Sequence, residues 1–250
     1  MEYMLYVVML GLLAYVIYRN YKLIGRYRHN KEYIESYKDM LEGKEGTYER
    51  VCRYVETETQ PEFHNKGLIL KLYLELEQGK DYDQSLKELD LRSIFYNNGK
   101  FVKQSMNINV DVFIWVYIVM AKARQLSKLD VLNTIYEQFL SMEEDLGNRL
   151  EYGLVKAIYA SLCEKEDGGV KFLSDLLEGN YSEYAYDRNL IVLYKRMAAA
   201  VLAYGGEPLD EFYHNDLRDF AKSAIGKIFM KALEIYERFC QEEKTEDGAQ

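Results

Sequence analysis

Three histidines, three cysteines and two glycine pairs are the features from which metal, nucleophilic or phosphate chemistry would have to be built in this chain. His29, His64 and His214 are scattered, with no HExxH and no paired-ligand spacing. His29 sits in a basic stretch. His64 and His214 fall at expected helix ends, where a histidine satisfied by its surroundings is far commoner than a ligand. Cys52, Cys163 and Cys240 are odd in number and far apart, and no CxxC occurs. Neither a zinc site nor a thioredoxin-like pair is indicated, and reduced, mostly buried thiols are expected. No P-loop, dinucleotide-binding or serine-hydrolase glycine motif is present. Gly168-Gly169 and Gly205-Gly206 would hold phosphate only if oriented over helix N-termini; turns account for both. Glu143-Glu144-Asp145 matches neither an EF-hand loop nor a metal cluster and reads as a solvated helix end. These patterns supply no catalytic residue, no cofactor-binding residue, no metal ligand and no cofactor, and their balance is against an enzyme.

What the sequence does specify is a place. From Tyr3 to Tyr18 it carries no charged or strongly polar side chain, and Arg19, Lys22, Arg26, Arg28 and Lys31 follow before the first acid, Glu32. A helix of this length covers about 24 Å at about 1.5 Å per residue, a little short of the ~30 Å hydrocarbon core of a bilayer. Met1 extends it on one side, and Arg19 and Lys22 can snorkel outward on the other. Tyr3, Tyr6, Tyr15, Tyr18 and Tyr21 gather towards its two ends, where aromatic belts form. A cleaved signal peptide would need positive charge before the core and a small-residue site after it. Only Glu2 precedes the core, and Leu-Ala-Tyr-Val-Ile-Tyr-Arg offers no such site. A buried helix would not need apolar residues on all faces together with a one-sided basic flank. The expectation is an uncleaved anchor at residues 1–18 in a cell membrane of bacterial type, with a single pass. The positive-inside rule puts its N-terminus outside and the rest of the chain in the cytoplasm.

The charge is unevenly placed. Five of the 32 Lys and Arg lie in residues 19–31 and one of the 41 Asp and Glu precedes Glu32, leaving 27 basic against 40 acidic side chains from Glu32 onward. An acidic body repels phosphate backbones, which excludes nucleic acid as an expected partner. The basic segment suits anionic headgroups and serves as a topology signal. About 220 residues remain for the body, enough for a sizeable core.

The body reads as helix, turn, helix throughout. Two prolines among 250 residues favour long uninterrupted helices. The anchor helix is expected to continue through a linker at 19–46, with Tyr27, Ile34 and Leu41 seven apart as a seam, until Gly43 and Gly46 end it. Thr47 and Asp81 are expected caps, and Pro61 a first-turn residue. Asn97-Asn98-Gly99 is a turn that suits either a hairpin or a helical connection, and the helical neighbours favour the latter. Val112–Ala121 is apolar on every face and too short to span a bilayer, so it is the expected buried centre. Its Trp115, the only tryptophan, would need a partner for its indole N–H. Lys128–Met142 carries a stripe of Leu129, Leu132, Ile135, Tyr136, Phe139 and Leu140; helices at Arg149–Lys165, Val170–Leu177, Arg188–Ala203, Leu209–Phe212 and Leu217–Phe239 follow. A helical-repeat domain at 47–240 and an acidic flexible tail at 241–250 complete the expected division. A chain from residue 42 onward is expected to be soluble and helical.

Tyr73, Tyr117, Tyr159 and Tyr194 each sit mid-helix before a turn and a second helix, at intervals of 44, 42 and 35 residues. Helical hairpins repeat in this range. From Leu72 to Leu89 the run Gly79-Lys-Asp81-Tyr82-Asp83-Gln84-Ser85 resembles the turn and second helix of the tetratricopeptide-like superfamily. The resemblance covers 70–240 as architecture and implies an all-α solenoid with a concave surface for a peptide or protein. The expected function is therefore a membrane-anchored cytoplasmic scaffold or adaptor that binds a protein partner. The alternatives are an enzyme or small-ligand domain whose site is assembled from distant residues, or an accessory subunit whose anchor packs on another span through Gly11 and Ala14.

Overall fold

The computed structural model describes residues 30–103, 105, 109–164 and 167–240. The apolar run at 3–18, the basic residues after it up to His29, and the tail at 241–250 lie outside the described residues. Among the described residues no helix is long and apolar enough to cross a membrane.

Among the described residues the protein is all-α apart from one hairpin of two-residue strands. Helix α1 spans 30–42. It is followed by α2 (Thr47–Thr57), α3 (Pro61–Gln78), α4 (Asp83–Glu88) and α5 (Arg92–Phe95). Strands β1 (Tyr96–Asn97) and β2 (Lys100–Phe101) pair antiparallel, Tyr96 opposite Phe101 and Asn97 opposite Lys100. Then come α6 (Val110–Gln125), α7 (Leu129–Leu140), α8 (Glu143–Leu146) and α9 (Leu150–Tyr159). A π-helical turn over Ala160–Glu164 leads to α10 (Asp167–Glu178), α11 (Ile191–Gly205), α12 (Glu211–Lys222), α13 (Ala224–Ala232) and α14 (Tyr236–Cys240).

The ends of these helices follow local chemistry. Pro61 occupies the first turn of α3, where its missing N–H costs nothing. Gly79 closes the same helix in the left-handed region (φ 64°), and Lys80 N–H reaches back to the Glu75 carbonyl at 2.8 Å. Gly206 ends α11 in the same way. Asp210 accepts from Tyr213 N–H to start α12, and Ser223 accepts from Gly226 N–H to start α13.

Helix α6 is the centre. Val112 to Ala121 are all buried, as their apolarity on every face predicts, and α3, α7, α9 and α13 pack around the helix. The contact with α13 matters for the architecture. In an open stack each hairpin touches only its neighbours, whereas here a helix from the far end of the chain returns to the middle one. Trp115 is fully buried, and its indole nitrogen has no hydrogen-bond partner, contrary to expectation; the rings of Tyr37 and Tyr73 pack against the indole.

Several elements depart from the sequence reading. Asn97-Asn98-Gly99 does turn a hairpin: Asn98 and Gly99 both take positive φ (49° and 73°), as a type I′ turn requires. The expected helix Leu217–Phe239 is three segments, broken where Ser223 caps α13 and where Glu234 takes φ 60°. The helix from Arg149 passes into the π-turn, where Arg124 Nε donates to the Leu162 carbonyl at 2.7 Å. Leu129 and Leu140 are exposed, while Val131, Leu132, Ile135 and Phe139 carry the buried face of α7. Thr47 does not cap α2; its hydroxyl donates to the Lys44 carbonyl. Asp81 accepts instead from Asp83 N–H, and α4 is only six residues long.

Helix α1 is joined to the body. It buries Tyr33, Ser36, Asp39 and Met40, and leaves Ile34 of the expected seam facing out. Tyr33 Oη donates to Asp111 Oδ2 at 2.6 Å. Lys66, with only 2% of its side chain exposed, lies 3.4 Å from the same carboxylate, 3.2 Å from Asn109 Oδ1 and 4.3 Å from the centroid of the Tyr33 ring. A buried ammonium is tolerated only when paired in this way. The other end of α1 is tied by Asp39, which pairs with Lys44 and Arg50.

Candidate binding cleft

The side chains with the most scope for recognition meet where α7, α8, α9 and α10 converge with the loop after α10. A cleft of about 370 Å³ opens there, within the range of ordinary ligand sites. Its walls are the rings of Tyr136, Tyr152, Phe172 and Tyr184, with Glu143 and Lys156 also lining it. A smaller compartment of about 220 Å³ shares Phe172 and Tyr184 with it and adds Lys171, Asp175 and Glu183.

Each wall is fixed by local structure. Tyr136 stacks flat on Tyr159, centroids 3.9 Å apart and planes at 5°, and Tyr159 Oη donates to Asn133 Oδ1 at 2.8 Å. Tyr184 stands edge-on to Phe172, with centroids 5.7 Å apart. The loop bearing Tyr184 is pinned to the start of α9: Leu150 N–H donates to the Ala185 carbonyl at 3.0 Å, and Ala185 N–H to that of Asn148 at 2.9 Å. Helices α9 and α10 approach so closely that glycine is required at the contact. A Cβ on Gly153 would lie 2.5 Å from the Phe172 ring, and one on Gly169 would lie 2.8 Å from the Ala157 carbonyl oxygen.

Beneath the cleft, Glu151 is wholly buried and anchors three elements. Its carboxylate accepts from Arg149 at 3.1 and 3.2 Å and from Tyr194 Oη at 3.3 Å, and its carbonyl accepts from Tyr117 Oη at 2.8 Å. This pair sets the start of α9 against α6 and α11.

The charge of the cleft comes from Glu143 and Lys156. Lys156 Nζ lies 2.9 Å from Glu143 Oε1 and 5.5 Å from the centroid of the Tyr152 ring. The hydrogen bond from Lys156 holds the Glu143 carboxyl below its ordinary value. Burial, then the charge of Glu143, pushes the Tyr152 hydroxyl up; burial, then Glu183, does the same to Tyr184. The tyrosines are therefore neutral and the carboxylate charged at neutral pH. Glu143 thus brings a charged carboxylate, paired with Lys156, to a cleft lined by aromatic residues.

The residues singled out in the sequence are dispersed. His64 Nδ1 lies 3.0 Å from the Val55 carbonyl, and His214 packs on Phe239 with ring centroids 4.9 Å apart. The three cysteines are half-buried, and none is in a disulfide. No group of three or more His, Cys, Asp and Glu that could hold a metal occurs among the described residues. Gly168 and Gly169 do line the cleft, at the start of α10, whereas Gly205 and Gly206 end α11. Of the acidic triplet, Glu143 enters the cleft and Asp145 accepts from Tyr96 Oη. Sequence reasoning did not find Lys156, Tyr184 or the Arg149–Glu151 pair as a site. The signal in the sequence is the tyrosine density of residues 181–186. Compared with known proteins, the chain matches no family model, no curated protein and no solved structure.

Proposed function

We propose that this chain is a membrane-anchored adaptor: an N-terminal single-pass helix, then a cytoplasmic helical body that holds a protein partner in the aromatic cleft. The observation that carries the reading is the cleft itself, an aromatic hollow with charged side chains at its edge, the composition that dominates protein recognition sites. The apolar run at 3–18 and its one-sided basic flank support the anchor and its orientation. The succession of helix, turn and helix and the tetratricopeptide-like run Gly79–Ser85 in the sequence support a helical-hairpin architecture suited to protein binding. An enzyme is the less favoured reading, because the sequence carries no catalytic motif.

The test is chemical cross-linking in intact membranes, with the partner identified, on the parent chain and on a Tyr136→Ala/Tyr184→Ala variant. The expected result is a defined cross-linked species that the double variant loses. An unchanged set of species in that variant removes the cleft from the account. Protease added outside sealed cells should spare residues 32–250, and digestion of the body there would reverse the orientation.

A further inference from the structure

On the reading of the cleft as the partner site, we propose that its ligand is a lysine ammonium on a basic segment of the partner, and that Lys156 is an internal placeholder which the incoming side chain displaces. Aromatic faces carry negative potential and attract cations, most strongly where a carboxylate completes the site. The cleft has Tyr136, Tyr152, Phe172 and Tyr184 for the first role and Glu143 for the second. It already holds one ammonium in that arrangement: Lys156 Nζ, 2.9 Å from Glu143 and above the Tyr152 ring.

That resident cation is free to leave. The side chains of Lys156 and Glu143 are 43% and 55% exposed, so Nζ passes to water by rotating its own stem, and such pairs are weakly held. Once it turns outward, the double compartment is an aromatic slot edged by Glu143, Asp175 and Glu183, against Lys171 alone. The chain as a whole carries a net charge of −9, which draws a basic segment towards it. An acidic ligand would instead have to lie beside the like charge of Glu143.

The experiment is fluorescence anisotropy of a labelled Gly/Ser peptide with spaced lysines, titrated with the full chain in maltoside micelles. The same peptide with acetylated lysines is the control. Removing the ligand charge, or the carboxylate by Glu143→Gln, is expected to weaken binding by about tenfold, the scale of a charge-assisted contact. Lys156→Met is expected to tighten it by about three- to tenfold, since no internal cation then competes. Melting curves of the two variants, both at half-exposed positions, establish that they fold. Weaker binding by Lys156→Met, equal binding of the acetylated peptide, or indifference of both variants overturns the proposal. If membrane cross-links still depend on Tyr136 and Tyr184 while the lysine peptide is indifferent, only this inference fails. If those cross-links are also independent of the two tyrosines, the partner-site reading fails with it.

Discussion

The Tyr37 ring stands edge-on to the Trp115 indole, with centroids 5.5 Å apart and planes at 88°. Tyr37 belongs to α1, and Trp115 to the middle of the central helix, so this contact joins the first described helix to the core. Tyr73 closes on the same indole at 5.5 Å. The Tyr33–Asp111–Lys66 cluster fastens the same two helices through polar groups.

The first prediction concerns where the body begins. A chain started at Gly43 lacks Tyr33, Tyr37 and Met40 and uncovers Trp115, which is now fully buried. Each large side chain withdrawn from the core removes about 1.5–3 kcal/mol of burial, so the loss is several kcal/mol. Relative to a chain started at Asn30, the shorter one is expected to emit at longer wavelength and to melt lower. Identical emission maxima and melting points would show that α1 contributes nothing to the core.

Trp115 itself separates packing from hydrogen bonding. Trp115→Ala is expected to cost about 3–5 kcal/mol in urea unfolding, the range for deleting a large buried aromatic. Because the indole nitrogen has no hydrogen-bond partner, Trp115→Phe is expected to cost clearly less, through lost volume alone. Equal losses for the two variants would mean that the N–H carries part of the stability.

The Arg149–Glu151 pair is wholly enclosed on the acidic side. Glu151→Gln leaves the Arg149 guanidinium beside a neutral amide and is expected to destabilise the fold by about 3–5 kcal/mol, whereas Arg149→Met/Glu151→Leu together should cost less. Urea unfolding of the three proteins decides this. A double variant as unstable as the single one would deny that an unpaired charge is the cause.

His214 gives the fold a dependence on pH. Burial, then the charges of Arg218 and Arg238, holds its pKa below the ordinary 6.5. The unfolded chain therefore binds a proton that the folded one refuses. The stabilisation from neutral His214 is complete above pH 6.5 and declines as the pH falls from there to its folded value. Thermal melts at neutral and mildly acid pH should show a smaller acid-induced drop in a His214→Gln variant than in the parent. Equal drops would place the dependence elsewhere.

The centre of this fold was legible because Val112–Ala121 is apolar at every position, which favours burial on all sides. The hairpin at Asn98-Gly99 was read as helical from its neighbours, although the dipeptide itself prefers the left-handed conformations that the turn adopts. Lys66 looks like a surface residue by type. Its position between Phe63 and Leu70, on the apolar side of α3, was the sign that it is buried. The cleft was beyond reach for a different reason. Tyr136, Lys156, Phe172 and Tyr184 lie on separate elements, and nothing in their spacing encodes the approach of α9 to α10 through Gly153 and Gly169.

The central claim is that the partner is held in the cleft, and a photo-crosslinking amino acid placed at Tyr184 tests it most directly. The comparison position is Phe212, which is exposed on α12 and absent from the cleft lining. With the full chain in its own membrane, the account predicts one dominant light-dependent adduct from position 184 and none of that mass from position 212. Adducts of the same mass from both positions, or from 212 alone, would contradict it.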